Sequence, residues 1–110
     1  MSDISYIEGI IKILETPKQE FINNDITFVK FRAQLFSVRK PQIVQVIFWG
    51  NLSQDIVSFY KINQYLLIEG YPSFRNSKNL KQTLKIVEIT GLRVYPFCFK
   101  PETLNYTKIK

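Results

Sequence analysis

The stretch TFVKFRAQLFSV, residues 27–38, alternates between two chemically different sets of side chains. One set is wholly apolar: Val29, Phe31, Ala33 and Leu35. The other interleaves aromatic rings with two cations and an amide: Phe28, Lys30, Arg32, Gln34 and Phe36. A period of two residues is that of a β-strand, in which successive side chains point to opposite faces of the sheet. We therefore predict a strand whose apolar face packs on a core and whose other face points outward.

Four further segments are rich in β-branched and aromatic residues and are predicted as strands. They are residues 4–14, 42–49, 65–74 and 82–95. Gly9 predicts a strong bend or a bulge in the first of them. Pro72 predicts a bulge or an edge position, because proline has no amide proton to donate to a ladder. The polar segments 17–26 and 75–81 are expected to be loops.

One segment, residues 51–61, has helical rather than strand periodicity. Its apolar residues are Leu52, Ile56, Phe59 and Tyr60, and Asn51 or Ser53 is expected to cap its start. Three strands, one short helix and two strands is the order of an OB-fold. We therefore predict an all-β, five-stranded OB-fold Greek-key barrel with one short helix between the third and fourth strands. Residues 1–98 are expected to form this domain, and residues 99–110 a short, basic and flexible tail.

The composition bears on partners and on chemistry. The chain has 110 residues and a formal net charge of +6, which points to a polyanion or an acidic membrane surface, although a basic domain can also be merely soluble. It has no histidine, its carboxylates are scattered, and it lacks a glycine-rich phosphate loop and a Cys/His cluster. We therefore expect no enzymatic activity, no cofactor, no metal site and, without a long apolar stretch, no membrane span. Cys98 is expected to be a small buried apolar residue.

The outward face of the strand at 27–38 needs an explanation, because two phenylalanines flanking two cations are unusual on a solvated face. Single-stranded nucleic acid supplies one, since bases stack on aromatic faces while Lys and Arg follow the phosphates. Packing of Phe28 and Phe36 against a second subunit or a loop is the alternative.

Trp49 ends the third predicted strand on the face opposite the apolar set of that strand, so its parity is against a place in the core. In the strand at 65–74, the same alternation leaves Tyr71 outward. We predict a basic aromatic groove on this side of the barrel, flanked by the loops at 17–26 and 75–81. Its residues are Trp49, Phe28, Lys30, Arg32, Phe36, Tyr71 and Arg75, with Lys78 and Lys81 from the second loop.

Three stretches resemble bacterial-type single-stranded-DNA-binding proteins over about residues 4–95. SYIEGIIKILETP is similar to the opening strand of that family, FVKFRAQL to its second strand, and IFWGNLSQDIVSFYKINQYLLIEG to its helix and the strand that follows. The resemblance implies that Trp49 stands at the position of a base-stacking phenylalanine. The family's stacking tryptophans are not reproduced, and the resemblance implies other rings in their place: Phe28, Phe36, Tyr71 and Phe74.

The C-terminus differs from that family, whose members typically continue to an acidic tip that recruits replication and repair partners. This chain ends in the basic run 107–110, so recruitment by an acidic tail is not expected. It looks like a tail-less, single-domain member, similar to plastid-encoded relatives in algae. Abundant residues with AT-rich codons and an N-terminus without transit-peptide features favour a plastid location, with the bacterial cytoplasm as the alternative. The resemblance also implies a homo-oligomer, either a dimer or a tetramer.

Together these patterns predict sequence-independent binding of single-stranded DNA by base stacking and phosphate contacts, in support of DNA replication or repair. Two alternatives remain open at this point. The first is a degenerate barrel that serves as a protein-interaction or oligomerisation module. The second is a binder of single-stranded RNA, since stacking and charge alone do not distinguish the two nucleic acids.

Overall fold

The computed structural model of the chain describes residues 6–36, 40–78 and 83–97. Within these ranges the chain forms six strands and one helix. They are β1 Ile7–Ile13, β2 Gln19–Ile22, β3 Ile26–Leu35, β4 Gln42–Trp49, α1 Asn51–Phe59, β5 Tyr65–Lys78 and β6 Thr83–Pro96. The predicted all-β class is confirmed, with one helix between the strands β4 and β5. The predicted tail at 99–110 and Cys98 lie outside the described residues.

The strands close into a barrel. Their order in the sheet is β1-β5-β6-β4-β3-β2, and a further pairing of β1 with β3 closes the circle. All neighbouring strands are antiparallel except β4 and β6, which run parallel. Closure depends on β1, which pairs with β5 over Ile7–Lys12 and with β3 over Ile11–Ile13, so its end lies between two partners.

The sixth strand is a correction to the sequence prediction, which expected five strands and a loop over 17–26. The residues of β2 pair with the first part of β3, from Gln19 opposite Val29 to Ile22 opposite Ile26. The turn between them contains Asn23 and Asn24 at φ 55° and 65°, a left-handed conformation that asparagine tolerates well. Four residues of the expected loop therefore extend the sheet along an edge that β1 leaves uncovered.

The barrel core is built from the strand faces that the alternation predicted as apolar. The side chains of Val29, Phe31 and Ala33 on β3 are fully buried or nearly so. The rings of Phe31 and Phe48 stack with centroids 6.3 Å apart. The other core residues come from every strand but β2 and from the helix: Ile11, Ile13, Val44, Val46, Ile56, Leu66, Ile68 and Ile89.

Helix α1 begins two residues after Trp49, at Asn51, and closes one end of the barrel with Ile56, which is fully buried. The predicted side-chain cap is wrong. The N-cap is Gly50 at φ 65°, and no side chain caps the helix. Ser53 is instead buried, and its hydroxyl donates to the carbonyl oxygen of Gly50 at 2.6 Å and accepts from Nε2 of Gln19 at 3.1 Å. The helix ends at Phe59, two residues earlier than predicted.

The strands β5 and β6 form a long hairpin, and the predicted loop at 75–81 is therefore wrong for residues 75–78, which continue β5 as far as Lys78 opposite Thr83. The partner β1 ends its pairing at Gly70, so beyond that point β5 pairs only with β6 among the described strands. Pro72 lies in this stretch, at the edge position that the sequence predicted.

The bulge that was one of the two expectations at Gly9 is not observed there. The register between β1 and β5 runs unbroken through Gly9, and the shift occurs between Glu69 and Gly70, in the pairing of β5 with β6. A Cβ atom on Gly9 would meet only the Cδ1 atom of Leu35, at 3.0 Å. Gly9 therefore makes room for a side chain and does not bulge the strand.

Gly91 provides a test of this packing. A Cβ atom there would lie 2.1 Å from Cε2 of Phe48, which is fully buried and cannot move aside without disturbing the core. We expect Gly91→Ala to lower the free energy of unfolding by about 1–3 kcal/mol, the usual cost of overpacking. Urea denaturation followed by circular dichroism measures this. Gly9→Ala is the matched control, because the flexible end of Leu35 can yield, and an equal loss in both variants would contradict the assignment.

Candidate nucleic-acid interface

The outward-pointing side chains of four adjacent strands form one continuous surface, here called the outer face. Its rows follow from the strand registers. The first row is Phe28 and Trp49. The second row is Lys30, Ile47, Thr90 and Tyr71. The third row is Arg32, Gln45, Glu88 and Ser73. Five of the predicted site residues therefore share one surface, which the strand pairing holds in place.

The first row is an aromatic pair. Phe28 lies directly opposite Trp49 in the ladder of β3 and β4, and their ring centroids are 5.0 Å apart at an interplanar angle of 38°. Trp49 is 42% exposed. The chain turns immediately after it, where Gly50 adopts φ 65° and donates its N–H to the carbonyl oxygen of Thr27 at 2.8 Å. The outward position of Trp49 is thus confirmed, and its ring is supported on one side by Phe28.

A second aromatic pair lies across the outer face. Tyr71 lies on β5, opposite Thr90 of β6. The strand β5 is two strands away from β4, the strand of Trp49, so the two strands are about 10 Å apart at the usual spacing. The ring of Tyr6 contacts Tyr71 edge-on with centroids 5.6 Å apart. Sequence reasoning missed Tyr6, because only the pairing of Ile7 with Gly70 brings it beside Tyr71.

The hydroxyl of Tyr6 donates a hydrogen bond to Oε1 of Glu69, which also accepts from Nη1 of Arg93 at 3.2 Å. The bond to Tyr6, followed by the charge of Arg93, lowers the pKa of Glu69, and the same bond to Glu69 raises the pKa of Tyr6. These contacts fix the edge of the second aromatic pair.

Both cations of β3 lie beside carboxylates that the sequence did not indicate. Nζ of Lys30 is 3.6 Å from Oε2 of Glu88, a residue that is only 8% exposed. Nε of Arg32 donates to Oε2 of Glu15 at 2.8 Å, and the backbone N–H of Arg32 donates to Oε1 at 2.9 Å. The backbone hydrogen bond is the largest of the causes that lower the pKa of Glu15, and the side chain of Arg32 lowers it further. The predicted cations are thus held by charge partners within the chain.

Phe36 lies apart from Trp49. It follows the end of β3, where β1 is the neighbouring strand, and its ring stacks on Tyr65 with centroids 5.7 Å apart. Together with Ile10 and Phe97 these rings line an open apolar depression of about 320 Å³. The structure therefore places this predicted groove residue in a different aromatic cluster.

The remaining predicted residues lie on the long hairpin. Phe74 is 71% exposed, but it pairs with Val87, whose side chain packs against the core, so it has the opposite parity to Tyr71. Arg75 and Lys78 belong to β5, in register with Ile86 and Thr83 of β6. Lys81 lies outside the described residues.

A second open depression, of about 500 Å³, borders the outer face beside Lys30. Its other lining residues come from the connection between β1 and β2 and from β2 itself: Glu15, Thr16, Lys18 and Glu20. Charges of both signs therefore line it. Within the described ranges, no group of three His, Cys, Asp or Glu residues could hold a metal ion. The one helix there, α1, is too short to cross a bilayer.

The contacts of Glu15 predict a dependence of stability on pH. Its pKa in the folded protein is lowered from the ordinary 4.5, so its contribution to stability is present above about pH 4.5 and is lost as the pH falls through the folded-state pKa. We expect Glu15→Gln to be less stable than the wild type by about 0.2–1 kcal/mol near neutral pH, because solvent screens this half-exposed pair, with the difference shrinking below about pH 4.5. Urea denaturation at a series of pH values measures both quantities.

Glu20→Gln is the matched control, because Glu20 lines the same depression and its carboxylate has no hydrogen bond or ion pair among the described residues. Equal pH dependence of the difference in Glu15→Gln and Glu20→Gln would contradict the role assigned to Glu15.

No protein-family model matches the chain. A curated relative does, the protein of the alga Trieres chinensis named "Putative single-stranded DNA-binding protein ycf41". The two are 29% identical over 113 residues, which cover 96% of this chain and 98% of the relative.

Three solved structures share the fold. The SSB domain of a Synechococcus sp. protein has a TM-score of 0.67 at 20% identity and covers 86% of this chain and 98% of its own. A small single-stranded DNA-binding protein from Streptomyces coelicolor has a TM-score of 0.72 at 12% identity, with coverages of 87% and 96%. The second single-stranded DNA-binding protein of Mycobacterium smegmatis, SSBb, has a TM-score of 0.67 at 20% identity, with coverages of 89% and 96%. These likenesses confirm the predicted OB-fold, and the algal relative bears out the resemblance to single-stranded-DNA-binding proteins.

Proposed function

We propose that this chain binds single-stranded DNA with little dependence on sequence, through stacking on the outer face and contacts to the phosphates. The observation that carries the proposal is the cross-strand pair of the exposed Trp49 and the half-buried Phe28 on the outward side of an OB barrel. The name of the algal relative and the names of the structural neighbours support the same activity.

Base stacking is the binding interaction that this surface supports most directly. A base that stacks on the ring of an OB-fold aromatic gains about 1–3 kcal/mol, and every base has a π-face. The ring of Trp49 is backed by Phe28, so a base would meet a surface that is already ordered. Tyr71, with Tyr6 against its edge, offers a second stacking position about two strand spacings away. A strand that crosses the outer face would pass from one ring to the other.

Charge provides the attraction. The chain carries a formal net charge of +6. Lys18 and Lys30 lie at the depression beside the outer face, together with Glu15 and Glu20. Each phosphate that a cation neutralises on a single strand contributes about −0.7 to the slope of log K against log salt concentration. The proposed binding should therefore weaken with salt.

The finer assignments are part of the same proposal. The algal source of the relative supports a plastid location, and a protein that covers single strands would support DNA replication or repair. The open apolar depression beside Phe36 offers a surface for a homo-oligomer. The chain acts without catalysis in this proposal, as a binding protein. Light scattering over a range of concentrations tests the assembly, and a monomer throughout would contradict it.

Titration with unlabelled oligo-dT, followed by the emission of Trp49, tests the binding. The chain has one tryptophan, so the signal has a single source. We expect strong quenching that weakens as salt is raised, because stacking changes the surroundings of the indole and salt competes for the phosphates. An unchanged spectrum from the folded protein would contradict the proposal and favour a barrel used for protein association.

Substitution of Trp49 measures its contribution. We expect Trp49→Ala to weaken binding of a fluorescently labelled oligo-dT by about 5- to 150-fold, which corresponds to the loss of 1–3 kcal/mol of stacking. Fluorescence anisotropy gives the dissociation constants without relying on the tryptophan. Phe59→Ala is the matched control, since Phe59 is an exposed aromatic residue on α1 and not on the sheet. Equal losses in the two variants would show that the outer face is not the binding surface.

A further inference from the structure

The outer face contains an arrangement that a surface for a polyanion would not be expected to need. Two glutamates, Glu15 and Glu88, lie beside the two cations of β3. Glu88 is the more unusual of them, because it lies in the third row of the face and is only 8% exposed. Burying a carboxylate is costly unless a cation or hydrogen bonds compensate it. The burial of the Glu88 carboxylate therefore calls for a structural or functional explanation.

The two ion pairs differ in geometry. The Nζ atom of Lys30 lies 3.6 Å from Glu88, which is an ion pair longer than a hydrogen bond, and the side chain of Lys30 is 31% exposed. A lysine held in this way is a flexible point charge that can turn toward another anion. Arg32 is held more firmly, by two bonds to Glu15, through its backbone N–H and its Nε atom. The side chain of Arg32 is 57% exposed, so the far side of its guanidinium faces solvent.

We propose that Glu15 and Glu88 act as internal competitors of phosphate, holding Arg32 and Lys30 in the free protein and thereby limiting how tightly a strand binds. The inference rests on the proposed function and names the regulation of that same surface. A phosphate that approaches Lys30 must draw it away from Glu88, and a phosphate at Arg32 must share the guanidinium with Glu15. Either event sets a carboxylate near a phosphate, and the repulsion favours release of the strand.

The arrangement has a consequence for exchange. When the strand leaves, the two carboxylates pair with their cations again. The free face is then neutralised within the protein and does not need to recruit counterions from solution. Binding through such a face has a shallower salt slope than the number of nearby cations suggests, since the compensated cations have fewer counterions to release. The two glutamates would thus keep binding reversible on a protein whose overall charge favours tight binding.

Glutamine substitutions test the proposal, because glutamine keeps the size of glutamate and removes the charge. We expect Glu88→Gln and Glu15→Gln each to strengthen binding of labelled oligo-dT, by about fivefold more than the control Glu20→Gln. The control is needed because any loss of a carboxylate raises the net charge by one. We also expect each to steepen the salt slope by about 0.7, the contribution of one added phosphate contact on a single strand.

A double-mutant cycle identifies the competing pair. In the wild type, Lys30→Gln should weaken binding and flatten the salt slope less than it does in the Glu88→Gln background, because Glu88 competes for Lys30 in the wild type. In the Glu88→Gln background, the same substitution should remove the gain in affinity and the added slope. Thermal denaturation establishes that each variant is folded. The loss of the Glu88 charge leaves Lys30 with access to water, so the variant is expected to fold.

The outcomes separate this inference from the proposed function. If the wild type binds and both glutamate variants behave like Glu20→Gln, the inference is overturned while the proposed function stands. The same holds if Lys30→Gln costs as much in the wild type as in the Glu88→Gln background. If neither the wild type nor any variant binds oligo-dT, the proposed function itself fails.

Discussion

The ladder between β3 and β4 is the constraint on which the rest of the structure depends. It runs from Phe28 opposite Trp49 to Leu35 opposite Gln42 without a break. Because side chains alternate along a strand, a slip of one residue would turn the buried rings of the core outward. The burial of the core therefore fixes the register, and the same register sets Trp49 against Phe28 on the other side. The pair of Trp49 and Phe28 is therefore held in place by core packing.

Sequence reasoning succeeded where the physical cause is local. The parity of Val29 and of Trp49 follows from a period of two residues, which any continuous strand must obey. The sequence did not predict the short strand β2, because Gln19–Ile22 does not alternate clearly. This segment forms a strand because β3 has an edge that β1 leaves uncovered. The N-cap of α1 was not predicted for a similar reason, since Ser53 forms its hydrogen bonds with Gly50 and with Gln19 of the distant strand β2.

The site was less accessible to sequence than the fold, because its contacts join distant parts of the chain. Tyr6 reaches Tyr71 only through the pairing of β1 with β5, and Glu88 reaches Lys30 only because β6 lies beside β4. Phe36 has the parity of the outer face, but β3 changes its neighbour from β2 to β1 before that point, and the ring then stacks on Tyr65. Parity tells which side of a strand a residue occupies, and the curvature of the barrel decides which other residues share that side.

In the proposed function, the electrostatics of the outer face implies that charge governs the encounter with a strand and that stacking governs its retention. The charges of Lys30, Arg32, Glu15 and Glu88 cancel, although the chain as a whole carries +6. A charge that lies more than a Debye length, about 8 Å, from the bound strand holds it only weakly at physiological salt, so excess charge outside this face contributes more to steering the encounter than to retention. Once a base reaches Trp49, the contact is one of stacking, which salt screens little. Encounter and retention thus depend on different groups, and a compensated face can hold a strand by its rings while leaving its phosphates loosely held.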